Sequence, residues 1–166
     1  NKTYSGTNGS DSTLQSASQS VISVSNLTKH FGKVIAVQNL DFEVNRGETI
    51  ALWGQNGAGK TTALRCVLGI YPFEGEISIH GKSAKSEGKL VRELIGYVPQ
   101  EIKLHADLTV RETISFYGQL RMTLPNRVQD LIEEWQLSDM IDKSIEKLSG
   151  GMRQRLALAI ALLSNP

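Results

Sequence analysis

Cysteine is almost missing from this chain. Cys66 is the only one, so no internal disulfide framework can form, and a reducing compartment is favoured. An excess of charge of either sign is missing too. Lys and Arg number 18 against 17 Asp and Glu, a net charge of +1. That balance supplies no bulk attraction to nucleic acid or to a strongly anionic membrane surface, and no nucleic-acid partner is expected. Long apolar runs are absent. The longest, Leu156 to Leu163, is far short of the roughly 20 residues a membrane-spanning helix needs. If the protein works at a membrane, the spanning part belongs to another chain or to another part of a longer one. No internal repeat at a solenoid period is visible.

What is present is enough apolar material, 40% of 166 residues, for one domain with a real core. Its distribution is uneven. Residues 1–20 are rich in Ser, Thr, Asn, Gly and Gln with little to bury, which predicts a flexible tail. From Val21 the pattern is strand-like. Ile22 and Val24 alternate with polar neighbours, and Leu40, Phe42 and Val44 alternate with Asp41 and Glu43. Thr49 to Trp53 is short, largely apolar and followed by glycine, which predicts a strand buried on both faces. Lys60 to Leu68 reads as a helix ending at Gly69, Ile77 to Ile79 as a strand, and Ile95 to Val98 as a further strand closed by Pro99.

Beyond Gln100 the character turns helical. Thr109 and Glu112 form a capping box, followed by an apolar face of Val110, Ile114, Tyr117 and Leu120. Asn126 with Gln129 predicts another helix start after Pro125, with Val128, Leu131, Ile132 and Trp135 as its stripe. Ser149 opens a last helix to about Leu163. The expected organisation is therefore a tail over 1–20, a β-rich and phosphate-binding core over 21–100, and a helical unit over 101–166.

The chemistry is concentrated in Gly54-Gln55-Asn56-Gly57-Ala58-Gly59-Lys60-Thr61, which matches the Walker A pattern G-x-x-x-x-G-K-[ST] in the strand-then-helix context that the pattern needs. Glycines allow backbone angles that aim successive N–H groups at phosphate oxygens, and the helix that follows adds its positive end. Lys60 carries an ammonium to the β- and γ-phosphates, and Thr61 offers a hydroxyl to Mg²⁺, with Thr62 next in the same turn. Gly54, Asn56, Gly57, Ala58, Gly59, Lys60, Thr61 and Thr62 are thus the candidate nucleotide and Mg²⁺ ligands.

Two further motifs narrow the reading. Gly96-Tyr97-Val98-Pro99-Gln100 ends in a glutamine, and Leu148-Ser149-Gly150-Gly151-Met152 follows later in the chain. In this order and separation, from about Val21 to Pro166, the chain resembles the ATP-binding domains of ABC transporters. The resemblance implies an α/β fold: a P-loop NTPase core, an N-terminal antiparallel β region and an inserted α-helical subdomain. It implies that Phe31 stacks on adenine, the alternative being an ordinary core or edge aromatic. It implies that Gln100 is the Q-loop residue at Mg²⁺ or water, although a Gln after Pro is by itself a loop residue. Lys60 and Gln100 are then the candidate catalytic groups, and Thr61 and Gln100 the metal-facing ones. Ser149, Gly150 and Gly151 would close over ATP held by a second domain in a head-to-tail dimer, with Ser149 also able to cap its helix. Met152 departs from the commoner Gln of the family.

In the family the Walker B strand, with its Asp and catalytic Glu, follows the signature helix. The chain reaches Pro166 before such a segment, and His30, His80 and His105 all precede the signature, so none matches the switch histidine. The expectation is a piece of a longer ATPase that alone does not turn over ATP, and a Thr49–Trp53 strand deprived of its neighbour. The resemblance further implies a transmembrane permease subunit or domain as partner and a peripheral location on the cytoplasmic face of a membrane. Leu108-Thr109-Val110-Arg111-Glu112 is a run familiar from transporter ATPases, and an exporter with separate ATPase and membrane chains is favoured. The alternatives are a soluble ABC ATPase of translation or repair and a non-catalytic ATP-binding module. The long coiled-coil insertion of the repair relatives is absent between the two motifs.

Overall fold

The computed structural model describes residues 20–166. The tail expected over 1–20 lies outside the described residues except for Ser20, which opens the first strand. β1 (Ser20–Phe31) and β2 (Val34–Asn45) form a long antiparallel hairpin through the two-residue turn Gly32-Lys33. β3 (Glu74–Ile79) pairs with the other edge of β1, and the short β4 (Lys82–Ser83) returns beside β3 through His80-Gly81. Both turn residues have positive φ, 48° and 74°, the conformation that two-residue hairpins favour. The sheet order is β2-β1-β3-β4, antiparallel throughout. The alternation expected in β2 holds, with Val44 buried while Asp41 and Glu43 face water.

The register of β1 against β2 slips between Val24 and Leu27, where Asn26 takes φ 51°. The freed Asn26 N–H donates to Asp41 Oδ1 at 2.7 Å, so the bulge keeps its donor satisfied.

Helix α1 (Lys60–Val67) follows the glycine loop and lays Ala63, Cys66 and Val67 on the sheet. There they meet Val24, Leu27, Val37, Ile77 and Ile79, with Val91 from the short helix α2 (Gly88–Glu93). Burial of side chains the size of Leu27 and Ile79 contributes about 1.5–3 kcal/mol apiece. A second apolar core lies under α3 (Val110–Leu120), α4 (Pro125–Glu134) and α5 (Gly150–Ala161). Its centre is Val110, Ile114, Leu131, Leu137, Met140 and Leu156. The capping box is present: Thr109 Oγ1 accepts from the Glu112 N–H at 3.2 Å, and Glu112 Oε2 accepts from the Thr109 N–H at 2.8 Å.

Four expectations are corrected. Thr49–Trp53 is not a strand. None of the described strands lies beside it to complete a ladder, and Trp53 is 98% exposed. Ile95–Val98 is not a strand either. It leans on the end of α5, where a Cβ on Gly96 would come within 2.9 Å of the Ala161 carbonyl, so packing replaces pairing. Leu120 leaves the α3 face and is exposed, its place being taken by Thr113 and Gly118. Asn126 does not cap α4: Leu124 holds the cap position and Pro125 the first turn, where its missing N–H costs nothing.

Candidate functional site

The glycine loop lies between two rigid elements, and both shape it. On one side is β2. Gly59 has φ 81°, and a Cβ there would overlap the Ala36 carbonyl and press on Val37 Cγ2 at 3.2 Å. Only glycine lets the loop approach the strand this closely. Gly57, φ 87°, needs the same left-handed backbone but has open space around it. On the other side is α1. Gly59 occupies its N-cap position with no side chain to satisfy the first N–H groups, so these are left for a ligand.

Lys60 is the first residue of α1, and its side chain turns back over the loop. Nζ donates to the carbonyls of Gly54 and Gln55, each at 2.7 Å. Ala58 N–H donates to Gln55 O at 3.1 Å and closes the loop into a turn. An ammonium and the start of a helix therefore face one concavity, where negative charge is favoured. The adjoining cleft is about 440 Å³ and is lined by Ile35, Val37, Leu52, Trp53, Gly57 and Lys60, among others. Thr61 and Thr62 stand in the first turn of α1, Thr61 exposed and Thr62 half-buried.

The other expected residues are not gathered in this cleft. Phe31 ends β1 at the hairpin turn and is 47% exposed, at the sheet edge and not in the core. Gln100 is exposed in a bend after Pro99. Ser149 caps α5, its Oγ accepting from the Met152 N–H at 3.3 Å. Gly150 and Gly151 are exposed in the first turn of that helix, and a Cβ on either would meet nothing within 4 Å. Packing among the described residues therefore gives no reason for glycine at these two positions, although glycine is the poorest ordinary residue for a helix.

A family model described as ABC transporter matches residues 37–166, most of the chain and all of this site except Phe31. The chain belongs to the ABC transporter family. Among ABC proteins, it is 35% identical to the Nod factor export ATP-binding protein I of Sinorhizobium fredii, over 99% of this chain and 50% of that protein. It is 41% identical to the sulfate/thiosulfate import ATP-binding protein CysA of Synechococcus elongatus, over 87% of this chain and 43% of that one. The chain thus spans about half the length of the curated ABC relatives it matches. The fold is that of solved ABC ATP-binding subunits. The structure of cbiO1 from Clostridium perfringens, part of the ABC transporter complex cbiONQ, superposes with a TM-score of 0.77 at 28% identity, covering 89% of this chain and 62% of that one.

Residue-by-residue reading missed the surroundings of Phe31. Lys29 and Tyr71 meet it in space, and Arg65 reaches Tyr71, but none of the three carries a motif. It also missed α2, whose signal was the spacing of Leu90, Val91 and Leu94.

Proposed function

We propose that this chain is the nucleotide-gripping part of the ATP-binding subunit of an ABC transporter, and that the full-length protein hydrolyses ATP to drive transport. The observation that carries the reading is the convergence of the Lys60 ammonium and the bare N-terminus of α1 on the glycine loop. That donor set fits a triphosphate. Among the described residues Lys60 is held by two backbone carbonyls and by no carboxylate, so a phosphate oxygen is a stronger partner for it than those carbonyls. Gly54, Asn56, Gly57, Ala58 and Gly59 would present the loop to the phosphates, with Thr62 in the turn beyond. Thr61 would hold Mg²⁺ by one hydroxyl, with Gln100 from the Q-loop as a second ligand or water-positioning group. Among the described residues no cluster of three or more His, Cys, Asp or Glu is present, so the fit is to a metal that keeps water and phosphate as most of its ligands. When bound, Mg²⁺ supplies positive charge against the terminal phosphates. The chain's own residues orient the triphosphate, anchor it and keep Lys60 beside it.

Ser149, Gly150 and Gly151 complete the reading. A Cβ built on either glycine would meet none of the described residues within 4 Å, which suits close approach by something outside the chain. We assign that approach to ATP on a second ATP-binding domain, head to tail. The helical unit after Gln100 would receive a helix of a transmembrane permease subunit or domain. No helix among the described residues is long and apolar enough to cross a membrane. The proposed seat, peripheral and on the cytoplasmic face, rests on membership of the ABC transporter family. Export is the favoured direction, supported by the relatives named for Nod factor export. The relative named for sulfate/thiosulfate import makes uptake the outcome that would reverse it.

The test is Lys60→Ala in the full-length protein. Loss of a charge-assisted contact to phosphate lowers ATP affinity by at least tenfold, on the order of 1.5–3 kcal/mol. Unchanged ATP affinity would mean that the loop is not the site. Co-purification with a polytopic membrane protein supports the transporter reading, whereas recovery on ribosomes would replace it with a soluble ATPase. ATP binding without turnover by the full-length protein would leave a non-catalytic module.

A further inference from the structure

At the open end of β1, four side chains from three parts of the chain meet. The Phe31 and Tyr71 rings are edge to face, centroids 5.4 Å apart and planes at 86°. Lys29 Nζ lies 4.9 Å from the Phe31 centroid and 5.9 Å from that of Tyr71. Arg65, in the last turn of α1, donates from Nη1 to Tyr71 Oη at 2.9 Å, and its guanidinium carbon stands 5.6 Å from the same ring. The backbone ties the same two positions. Ile70 N–H and Tyr71 N–H both donate to the Arg65 carbonyl, at 2.9 and 3.3 Å.

α1 therefore begins at the phosphate loop with Lys60 and ends by holding Tyr71 through Arg65. Tyr71 in turn holds Phe31. We propose that Tyr71 is a positioning residue for the nucleotide base, acting through Phe31: it sets the tilt of that ring and its distance from the phosphate loop. The proposal rests on the reading of Phe31 as the base-stacking residue.

Three physical points support it. Phe31 is half-exposed beside a two-residue turn, where a lone ring would sample several rotamers and lose that freedom on binding. The Tyr71 edge and the Lys29 cation restrict it beforehand without burying it. The restraint also refers to the correct frame, because the element that fixes Tyr71 is the helix that carries Lys60. Base and triphosphate are parts of one ligand, so their two seats must keep a fixed separation. Phe31 and Arg65 are exposed and serve the core little, whereas Tyr71 is half-buried against the sheet core, which helps to hold its ring in place.

The experiment uses the full-length protein and two probes, ATP and inorganic tripolyphosphate, with calorimetric affinities and a thermal melt for each variant. Tyr71→Leu keeps bulk but removes the aromatic edge and the hydroxyl. It is expected to weaken ATP about three- to tenfold, with tripolyphosphate affinity unchanged. Tyr71→Phe restores the edge and recovers most of the loss. Equal weakening of both probes, or of neither, overturns the proposal. Phe31→Ala separates the two layers of the argument. If it leaves ATP affinity unchanged, the base-stacking reading falls and takes this one with it. If it weakens ATP while Tyr71→Leu does not, the role of Tyr71 alone falls.

Discussion

The tightest contact around the phosphate loop is also the most testable. Gly59 and Gly57 lie two residues apart, with nearly equal positive φ of 81° and 87°. An alanine at either must adopt the left-handed backbone, which costs an L-residue about 1–2 kcal/mol. Gly57 has nothing within 4 Å of a built Cβ, so Gly57→Ala is expected to stop there. Gly59→Ala adds a methyl that overlaps the Ala36 carbonyl of β2, backbone that cannot rotate aside. Forcing a group into a filled space adds about 1–3 kcal/mol, for a total of about 2–5 kcal/mol. The difference between the variants isolates the overlap from the dihedral strain. In urea unfolding of the full-length protein, with a slope of about 1–3 kcal/mol per M, Gly59→Ala lowers the midpoint by about 1 M more than Gly57→Ala does. If the two variants unfold together, the loop is not pressed against β2, and the account of why glycine stands at position 59 is wrong.

Three further outcomes follow from other parts of the structure. Ser149→Ala removes the cap of α5 and destabilises the protein by about 1 kcal/mol, read by thermal melt; on the proposed role it also slows ATP-driven dimerisation, whereas Ser149→Asp keeps the cap and not the dimerisation. Glu112 accepts from the Thr109 N–H and hydroxyl, in that order of effect, which hold its carboxyl below its ordinary value of 4.5 despite slight desolvation. A depressed folded-state value means that its stabilisation is present above the unfolded value and lost as pH falls through the lower folded one, so carboxyl NMR of Glu112 should titrate below 4.5 and Thr109 amide protection should fade in the same acidic window. Cys66 is fully buried, and burial pushes its thiol up while Lys29 opposes weakly. A thiol reagent at pH 8 should therefore label it only as fast as the protein opens, and immediate labelling would contradict the packing of α1 on the sheet.

How much of this was legible beforehand depended on the range of the information. The Thr109–Glu112 box, the start of α1 at Lys60 and the cap at Ser149 are written within a few residues, and they appear as read. The alternation of Leu40, Phe42 and Val44 is equally local. The strands expected at Thr49–Trp53 and Ile95–Val98 did not form, because a strand exists only with a neighbour and no window of five residues shows whether one is there. The hairpin turn at Gly32-Lys33 was available in the spacing of glycine between two apolar runs. Phe31 was readable as a candidate through resemblance, but Tyr71, forty residues on, was not. Its relation to Phe31 is made by the turn after α1 and by Arg65, and by nothing in the order of residues.

The two bare glycines at the front of α5 have a consequence for anyone who engineers this protein. Exchanging Gly150 or Gly151 for alanine meets no steric resistance and improves helix propensity by up to about 1 kcal/mol per site. A screen that rewards heat resistance or expression of the isolated chain will therefore favour alanine at both. Such a screen selects against a patch whose composition the packing of the described residues does not explain, and it would enrich robust proteins with a blunted helix tip. Thermal optimisation of this fold should hold positions 150 and 151 fixed and take its gains elsewhere.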